Sequence, residues 1–314
     1  KILYRINLQL IGKIIVRSDS QNSKDPVCLI IDDSDFPKTG MRIERVGRIF
    51  SHVTHASILG FKALFLCRTD GKTQTVLDLS LHGEEGRKPN KPFGMTKQQR
   101  ERQYRKNRNQ SEAVNERIND YTQNKIQKAI DLVKRAVKEG IRFDYLLADS
   151  WFTCTDLVRF IKSRHMKCHY LGMIKMSRTK YCFEGKLLGA KELVKRLQTS
   201  KSVRYSRRLR CYYAQAEVTL SGIRVKLFFC RRTKNGDWNG MLTTNTTLDF
   251  FGAYHIYSMR WSIEVFFKEG KNVLGLGKSQ SRDFAAQIAG ISVSILQYNI
   301  LRTVKRFTSY ETIG

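Results

Sequence analysis

The chain has 314 residues, and its 57 Lys and Arg against 28 Asp and Glu give a formal net charge of +29. Its 41% hydrophobic residues are enough to bury a core, which excludes a wholly disordered basic tail. Its seven cysteines form no Cys-x-x-Cys pair, which excludes a small disulfide scaffold and favours a reducing compartment.

The first predicted elements are a strand and a hairpin. Residues 27–31 are apolar and end in an Asp-Asp pair, which predicts a buried strand with acids at its carboxyl end. Residues 50–66 and 73–81 have alternating, strand-like patterns, and an Asp-Gly turn sequence lies between them. This arrangement predicts a β-hairpin.

Helices and strands then alternate. Apolar residues recur at helical spacing over residues 111–138, and a glycine shortly after them would end this helix. Residues 143–148 predict a second buried strand, which ends in Asp149. Residues 152–163 predict a further helix, and residues 169–173 predict a further strand.

The pattern changes over residues 178–247, where short strand-like runs are joined by Ser-Gly and Asn-Gly turns. These turns predict antiparallel hairpins, and we interpret the region as an insertion. Asp249 can cap a long helix that continues to residue 271, and a second helix covers residues 283–307. The order of elements predicts an α/β fold, in which helices flank a mixed sheet interrupted by an antiparallel β-rich insertion.

The positive charge is concentrated in two segments. Residues 87–108 contain nine basic residues and one acid, and residues 201–234 contain ten basic residues and one acid. Aromatic residues are interleaved with the basic ones in the second segment. Because Lys and Arg neutralise phosphates and aromatic rings stack on bases, this pattern favours a nucleic-acid partner over a merely solvated surface.

Three acids stand where a metal site could form. Two predicted strands end in acids, Asp33 (or its neighbour Asp32) and Asp149, and open α/β sheets bind ligands at the carboxyl ends of their strands. Glu264 lies on the predicted long helix after the insertion. Three converging carboxylates could hold two divalent metal ions, which would activate water and stabilise the leaving oxygen in phosphodiester cleavage.

The helix around Glu264 carries charged and aromatic residues on one side. At about 100° per residue, Tyr257, Arg260, Glu264 and Lys271 share one face of a continuous helix, with Lys268 beside them. An acid flanked by cations and a phenol could grip phosphates. The spacing also fits a surface helix held by an Arg260–Glu264 ion pair, so both interpretations stay open on spacing alone.

These residues resemble a family signature. Tyr257-x2-Arg260-x3-Glu264-x6-Lys271 resembles the Y-(2)-R-(3)-E-(6)-K signature of one branch of bacterial insertion-sequence transposases, which are DDE transposases with a ribonuclease H-like fold. The run IIDDSDFPKTG around Asp33 resembles the first-acid motif of that branch, and LLADSWF resembles the second. The resemblance covers most of the chain and implies a ribonuclease H-like core.

The resemblance also implies an activity. An enzyme of this branch would cut DNA at the ends of a mobile element and join the 3′-hydroxyls to target DNA, with the flanking DNA released through a hairpin. It would work as a homodimer on paired double-stranded DNA ends. Two Mg²⁺ or Mn²⁺ ions would be held by Asp33, Asp149 and Glu264, and the location would be the bacterial cytoplasm, at the nucleoid.

The resemblance further implies DNA contacts. Tyr257, Arg260 and Lys271, with Lys268 beside them, would grip the DNA near the scissile phosphate and help to hold a flipped base. Trp238 lies in the β-rich insertion, close to where this branch has a stacking tryptophan.

The choice between the two neighbouring acids rests on the motif. We choose Asp33 because the metal ligand of the family is followed by Thr or Ser, and Ser34 follows Asp33. Asp32 would lie on the opposite face of the strand.

The predicted organisation has four segments. Residues 1–24 are the remnant of an upstream segment, since the chain starts at Lys1, and residues 25–177 form the first part of the catalytic core. Residues 178–247 are the β-rich insertion, and residues 248–314 are the helical completion of the core.

Other functions stay open beside the transposase. A catalytically silent DNA-binding relic would not need the three acids, and a structural nucleic-acid-binding protein would not need the signature. A ribonuclease H-like nuclease that cuts without joining shares all of these features.

Overall fold

The computed structural model describes residues 2–18, 25–109, 113–163, 166–177 and 179–308. Residues 111 and 178, where two predicted segments begin, and part of the predicted remnant 1–24 lie outside the described residues. The helices are α1 (Ile2–Ser18), α2 (Lys97–Glu101), α3 (Ala113–Asp120), α4 (Lys125–Lys138), α5 (Thr155–Ile161), α6 (Ala190–Thr199), α7 (Phe250–Ser258), α8 (Trp261–Asn272) and α9 (Phe284–Phe307). The strands are β1 (Cys28–Pro37), β2 (Gly47–Ser51), β3 (Ala56–Thr69), β4 (Gln74–His82), β5 (Tyr145–Ala148), β6 (His169–Ile174), β7 (Lys180–Phe183), β8 (Lys186–Gly189), β9 (Arg204–Ser206), β10 (Cys211–Leu220), β11 (Ile223–Arg231) and β12 (Asn239–Thr243).

The chain divides into two compact units, and each joins stretches that are distant in the sequence. The first unit contains the described residues of Lys1–Ser23, Asp32–Ile141 and Ser262–Gly314. The second contains those of Lys24–Ile31 and Arg142–Trp261.

The first unit is built on antiparallel strands covered by helices. β2 pairs with β3, β3 pairs with β4, and the second half of β1 lies beside β3. α1, α3, α4 and α9 pack against β4, so every residue of that strand is buried. The predicted hairpin is confirmed as β3 and β4, and its turn contains Gly71 with a φ of 83°. Its predicted start at residue 50 is wrong, because residues 50–51 belong to β2 and a turn precedes β3.

β1 is longer than predicted. The prediction that its acids lie at the end of the strand is wrong, because β1 continues through them to Pro37. Gly60 allows this extension, since a Cβ at that position would lie 2.3 Å from the backbone oxygen of Phe36. The acids therefore lie in the middle of a strand whose second half is held against β3.

The single helix predicted over residues 111–138 is wrong, because the structure forms two helices, α3 and α4. Asn124 starts the second one by accepting a hydrogen bond from the backbone N–H of Ile126, as N-cap residues do. Both helices are tied to β4, because buried Asp78 pairs with Arg117 of α3 and with Arg135 of α4, each at 2.9 Å.

α9 confirms the second predicted C-terminal helix, and Asp283 caps it by accepting a hydrogen bond from the Ala285 N–H. By length and composition alone α9 could cross a membrane. Its Asn299, however, accepts from the backbone N–H of Val76 and donates to the backbone oxygen of the same residue inside the first unit. These bonds place one face of α9 inside that unit.

The second unit contains a mixed sheet. The Cys28–Ile31 part of β1 runs parallel to β5, and β5 runs parallel to β6. From β6 onward the order is β12, β11, β10, β7 and β8 with antiparallel pairing, and β9 also pairs with β10. The predicted mixed sheet with flanking helices and an antiparallel β-rich segment is confirmed.

The β-rich segment follows its turn sequences. Ser221 and Gly222 have φ of 48° and 85°, which joins β10 and β11 in a two-residue hairpin, as predicted. The sequence reasoning missed the hairpin of β7 and β8 and missed α6. The apolar face of α6 (Leu193, Val194 and Leu197) has helical spacing and is a signal that could have been used.

The long helix predicted from Asp249 to residue 271 is wrong. The structure has two helices, α7 and α8, and the chain turns at Met259 and Arg260 between them. At this turn the backbone N–H of Met259 bonds to Ile256 and that of Arg260 bonds to Tyr257. These three-residue hydrogen bonds tighten and end the helix.

Candidate active site

β1 presents polar residues on two opposite faces, because successive residues of a strand point to opposite sides. Asp33 and Asp35 share one face. Asp33 Oδ2 accepts a hydrogen bond from Lys125 Nζ at 2.7 Å, and Asp35 forms an ion pair with Lys62. Since Lys125 begins α4, we call this side of the strand the α4 face.

The opposite side, which we call the α8 face, meets the helix that carries Glu264. Ser34 Oγ accepts a hydrogen bond from Lys271 Nζ at 2.6 Å. The ring of Phe36 lies 6.0 Å from that of Phe65, which in turn lies 5.4 Å from the ring of Phe266 in α8. The structure therefore brings the last residue of the sequence signature against the strand of the first acids.

Asp32 belongs to the α8 face, since it is two residues from Ser34 on the same strand. Burial raises the pKa of the Cys67 thiol, and the negative charge of Asp32 raises it further. The Oδ1 atom of Asp32 accepts a hydrogen bond from the backbone N–H of Asp33 at 2.8 Å. The motif predicts Asp33 as the metal ligand. In the strand, however, Asp32 lies on the side of the signature helix and Asp33 lies on the side of Lys125.

Glu264 lies in the first turn of α8, where the helix dipole stabilises a negative charge. Buried Ile263 and Phe266 fix the helix to the core. Lys271 follows Glu264 by seven residues, two helical turns, so both lie on the same side of α8, and exposed Lys268 lies one turn after Glu264. This half of the predicted stripe is a continuous helix face.

Lys271 is half-buried. Burial lowers the pKa of its ammonium group, the charge of Lys62 acts in the same direction, and the charge of Asp35 opposes both. The Ser34 hydroxyl is the neutral acceptor that satisfies this partly desolvated cation.

Tyr257 and Arg260 lie in the second unit, at the end of α7 and in the turn after it. The guanidinium carbon of Arg260 lies 5.7 Å from the ring centroid of Tyr257, which is a cation–π distance. The single helix predicted to carry all four signature residues is therefore wrong, because Tyr257 and Arg260 belong to α7 and the turn after it, where they contact each other.

Asp149 also lies in the second unit, directly after β5. Its Oδ1 accepts hydrogen bonds from the backbone N–H groups of Trp151 and Phe152, at 2.9 and 3.2 Å. This turn fixes the carboxylate at the carboxyl end of a parallel strand, where the sequence predicted it. The same contacts would also serve a purely structural turn.

Trp238 lies in the loop between β11 and β12, half-buried, and the guanidinium of Arg231 is 4.5 Å from its ring centroid. This close cation–π pair orients the indole ring. A base that stacked on this ring would compete with the arginine or use its other side.

Convergence of the acids stays a prediction. Among the described residues, no group of three or more His, Cys, Asp and Glu side chains is close enough to hold a metal ion. The chemistry of the donor set fits Mg²⁺ or Mn²⁺, since these hard ions prefer carboxylate oxygens. Lys125 Nζ already lies beside one oxygen of Asp33, whereas Asp32 shares its face of β1 with Ser34, which accepts from Lys271.

Sequence reasoning missed two residues near the first acids. Ser34 lies inside the quoted motif, but its contact with Lys271 had no signal in the sequence. Lys125 lies 92 residues from Asp33, and only the docking of α4 brings them together.

Two family models match this chain. A model described as DDE superfamily endonuclease matches residues 9–185, and one described as transposase DDE domain matches residues 117–300. Each match covers more than half of the 314 residues. The chain belongs to the DDE family of transposases and endonucleases.

One solved structure supports the fold. The cryo-EM structure of a piggyBac transposase synaptic complex with hairpin DNA is similar, with a TM-score of 0.50 and 11% identity over 90% of this chain and 48% of that chain. The present chain thus spans about half of that protein. The NurA nuclease from Sulfolobus solfataricus has a TM-score of 0.32 and 9% identity over 99% of this chain and 97% of its own, which is too distant to support an argument. No curated protein matches this sequence significantly.

Proposed function

We propose that this chain is the catalytic core of a DNA transposase that cuts insertion-sequence ends and joins their 3′-hydroxyls to target DNA. The observation that carries the proposal is the contact of Lys271 with Ser34, which brings the signature helix to the first-acid strand of a DDE family member. That contact joins two sequence motifs that are 237 residues apart.

Divalent metal ions, when bound, would activate the attacking oxygen and stabilise the leaving oxygen. Asp149, Glu264 and one acid of β1 would hold two Mg²⁺ or Mn²⁺ ions. We assign Asp32 as the acid of β1, because it shares the α8 face with the Lys271 contact, whereas Asp33 is paired with Lys125. The motif-based alternative is Asp33.

The remaining signature residues would hold DNA. Lys271 and Lys268 would contact phosphates from α8, and Tyr257 and Arg260 would do so as a cation–π pair. Trp238 would stack on a displaced base. We further propose cut-and-paste through a DNA hairpin, a homodimer on paired ends, and a bacterial cytoplasmic location at the nucleoid.

Cleavage of labelled duplex DNA that carries the terminal repeats of the parent element tests the proposal, with Mg²⁺, Mn²⁺ or chelator. Asp149→Asn is the decisive variant, because an amide oxygen can still accept the N–H groups of Trp151 and Phe152. Asp156→Asn, at an exposed acid seven residues later, is the matched control.

Metal-dependent cutting at the repeat boundary is expected in the wild type and in Asp156→Asn, and its loss is expected in Asp149→Asn. Joined products distinguish a transposase from a nuclease that only cuts. Tight DNA binding without cutting under either metal would identify a silent relic and overturn the catalytic assignment.

A further inference from the structure

A basic groove runs along the first unit, and its lining includes none of the predicted metal-binding acids or signature residues. Three cavities of about 290, 300 and 670 Å³ form it. Arg42, Arg102, Tyr104 and Arg282 line the middle cavity. Tyr104 also lines the first cavity, and Arg42 and Arg282 also line the third, so the three cavities are contiguous.

The lining of this basic groove is strongly cationic. It contains six arginines and two lysines, and Glu44 is the one acid among the described lining residues. The Glu44 carboxylate is already engaged, because Arg108 donates to its two oxygens, each at 2.7 Å. The groove therefore offers an uncompensated positive surface.

The walls of the groove are fixed by backbone contacts. The N–H of Tyr104 donates to the backbone oxygen of Arg42 at 2.8 Å, and the N–H of Glu44 donates to that of Arg282 at 2.9 Å. Behind them, Arg108 is 4% exposed and joins Glu44 to Asp283. These bonds connect three chain segments and fix the backbone that carries Arg42 and Arg282 before any ligand arrives.

A capping box fixes the remaining wall. Thr96 and Gln99 exchange hydrogen bonds with each other's backbone N–H groups at the start of α2. This short helix carries Arg100 and ends at Arg102, so both guanidinium groups extend from an ordered turn.

Three of the groove's arginines form no ion pair inside the described part of the chain, although Arg45 lies over the ring of Tyr121. Within the described part of the chain, no ion pair with an acid involves Arg42, Arg102 or Arg282. The buried Nε atoms of Arg45 and Arg100 likewise have no hydrogen-bond partner among the described residues. Guanidinium donors left open in a concave surface are suited to bidentate binding of phosphate oxygens.

We propose that the basic groove binds successive phosphates of duplex DNA, as a holding site separate from the acids and from the signature residues. Arg42, Arg102 and Arg282 make the phosphate contacts, and the exposed Tyr104 phenol donates to a further phosphate oxygen. This inference rests on the proposed function, because it takes the DNA substrate as its ligand.

The salt dependence of DNA binding tests the groove. Binding of a labelled DNA duplex is measured by fluorescence anisotropy against NaCl concentration, in chelator so that no cleavage occurs. The test variant is Arg42→Gln/Arg102→Gln/Arg282→Gln, and its backbone contacts stay intact. The control is Arg5→Gln/Lys72→Gln/Lys138→Gln, which removes the same charge from exposed sites of the first unit.

The slope of log K against log salt should fall by up to about 2.7 in the test variant, about 0.9 for each lost phosphate contact, and by less than about 1 in the control. Equal slopes in the two variants, at equal melting temperatures, would overturn the proposal that the groove binds DNA. The proposal would also be overturned if the test variant changed the salt slope for RNA duplexes but not for DNA duplexes. It would likewise be overturned if inorganic phosphate stabilised the wild type but not the test variant, while the DNA slope of the test variant stayed unchanged.

Cleavage separates this inference from the proposed function. If the groove variant changes the salt slope but the protein never cuts DNA, the groove proposal holds and the proposed transposase activity is wrong. If the protein cuts DNA with metal but the groove variant leaves the slope unchanged, the transposase proposal holds and the groove proposal is wrong.

Discussion

The two faces of β1 carry acids of the same kind in different surroundings. On the α4 face, Asp33 is paired with a side-chain cation from α4. On the α8 face, Asp32 lies two residues before Ser34, which accepts a hydrogen bond from Lys271 of the helix that also carries Glu264. Neighbours in sequence thus belong to different environments, and a motif read along the chain does not distinguish them.

The largest expected effect separates the two acids. Asp32→Asn should lower DNA cleavage by about 10³-fold or more, because a lost metal ligand removes several kcal/mol of transition-state stabilisation. Asp33→Asn should retain most of the activity and lose stability instead, because Lys125 would lack its charged partner. The measurements are initial cleavage rates and melting temperatures. The reverse pattern would return the assignment to Asp33.

The second prediction concerns the stability of the first unit at acidic pH. His82 is buried on β4, and its ring bonds to the Ser80 hydroxyl at 2.6 Å. Burial lowers the pKa of His82 to about 4, and the charge of Lys125 acts in the same direction. Because the unfolded chain takes up this proton first, the folded protein should lose about 3 kcal/mol of stability as pH falls from 7 to 4.

The measurement is chemical unfolding at several pH values in the wild type and in His82→Gln. The wild type should lose stability more steeply between pH 6.5 and 4 than the variant does. Parallel curves would mean that His82 is protonated in the folded state and that the buried face is more open to water than the structure shows.

The third prediction concerns the stability that the contact of α4 with β1 contributes. Lys125→Met should destabilise the protein by about 2 kcal/mol, because it leaves half-buried Asp33 without a cation. The double variant with Asp33→Asn should recover part of this loss, which a double-mutant cycle measures. The midpoint of Mn²⁺-dependent cleavage should not move. A large shift of that midpoint would place Asp33 at the metal.

The sequence predicted the local features of the fold and missed those that depend on tertiary contacts. The strands of the β-rich segment, the two-residue hairpin at Ser221 and the cap at Asp249, which begins α7, are local features, and the local sequence predicted them. The break at Met259 and Arg260 was missed, because helical spacing continues across it in the sequence. The length of β1 was missed as well, since it depends on pairing with β3 at Gly60.

For the candidate site too, the sequence predicted some features and could not predict others. Residue types and spacing predicted Asp149 after β5 and the shared side of Glu264 and Lys271 on α8. They could not predict the partners of the first acids, because Lys125 and Lys271 reach β1 only through tertiary packing. A strand with acids at consecutive positions needs the fold to show which of them faces which helix.

The smallest effect tests the contact on which the proposed function depends. Ser34→Ala removes the acceptor of the half-buried Lys271 ammonium, a hydrogen bond to a charged group worth about 1.5 kcal/mol, so DNA cleavage should fall by about tenfold. Ser150→Ala is the matched control, because Ser150 follows the second acid and makes no side-chain hydrogen bond to any described residue. That control should cleave at the wild-type rate.

Combination with Lys271→Met decides whether the serine acts through the lysine. If Ser34 serves to position Lys271, its removal from the Lys271→Met protein should have almost no further effect on cleavage, because the two changes remove one interaction. Independent, additive losses would mean that the hydroxyl contacts DNA or metal directly. In that case the α8 face of β1 would belong to the reacting centre through Ser34 itself, and Lys271 would bind DNA without help from the strand.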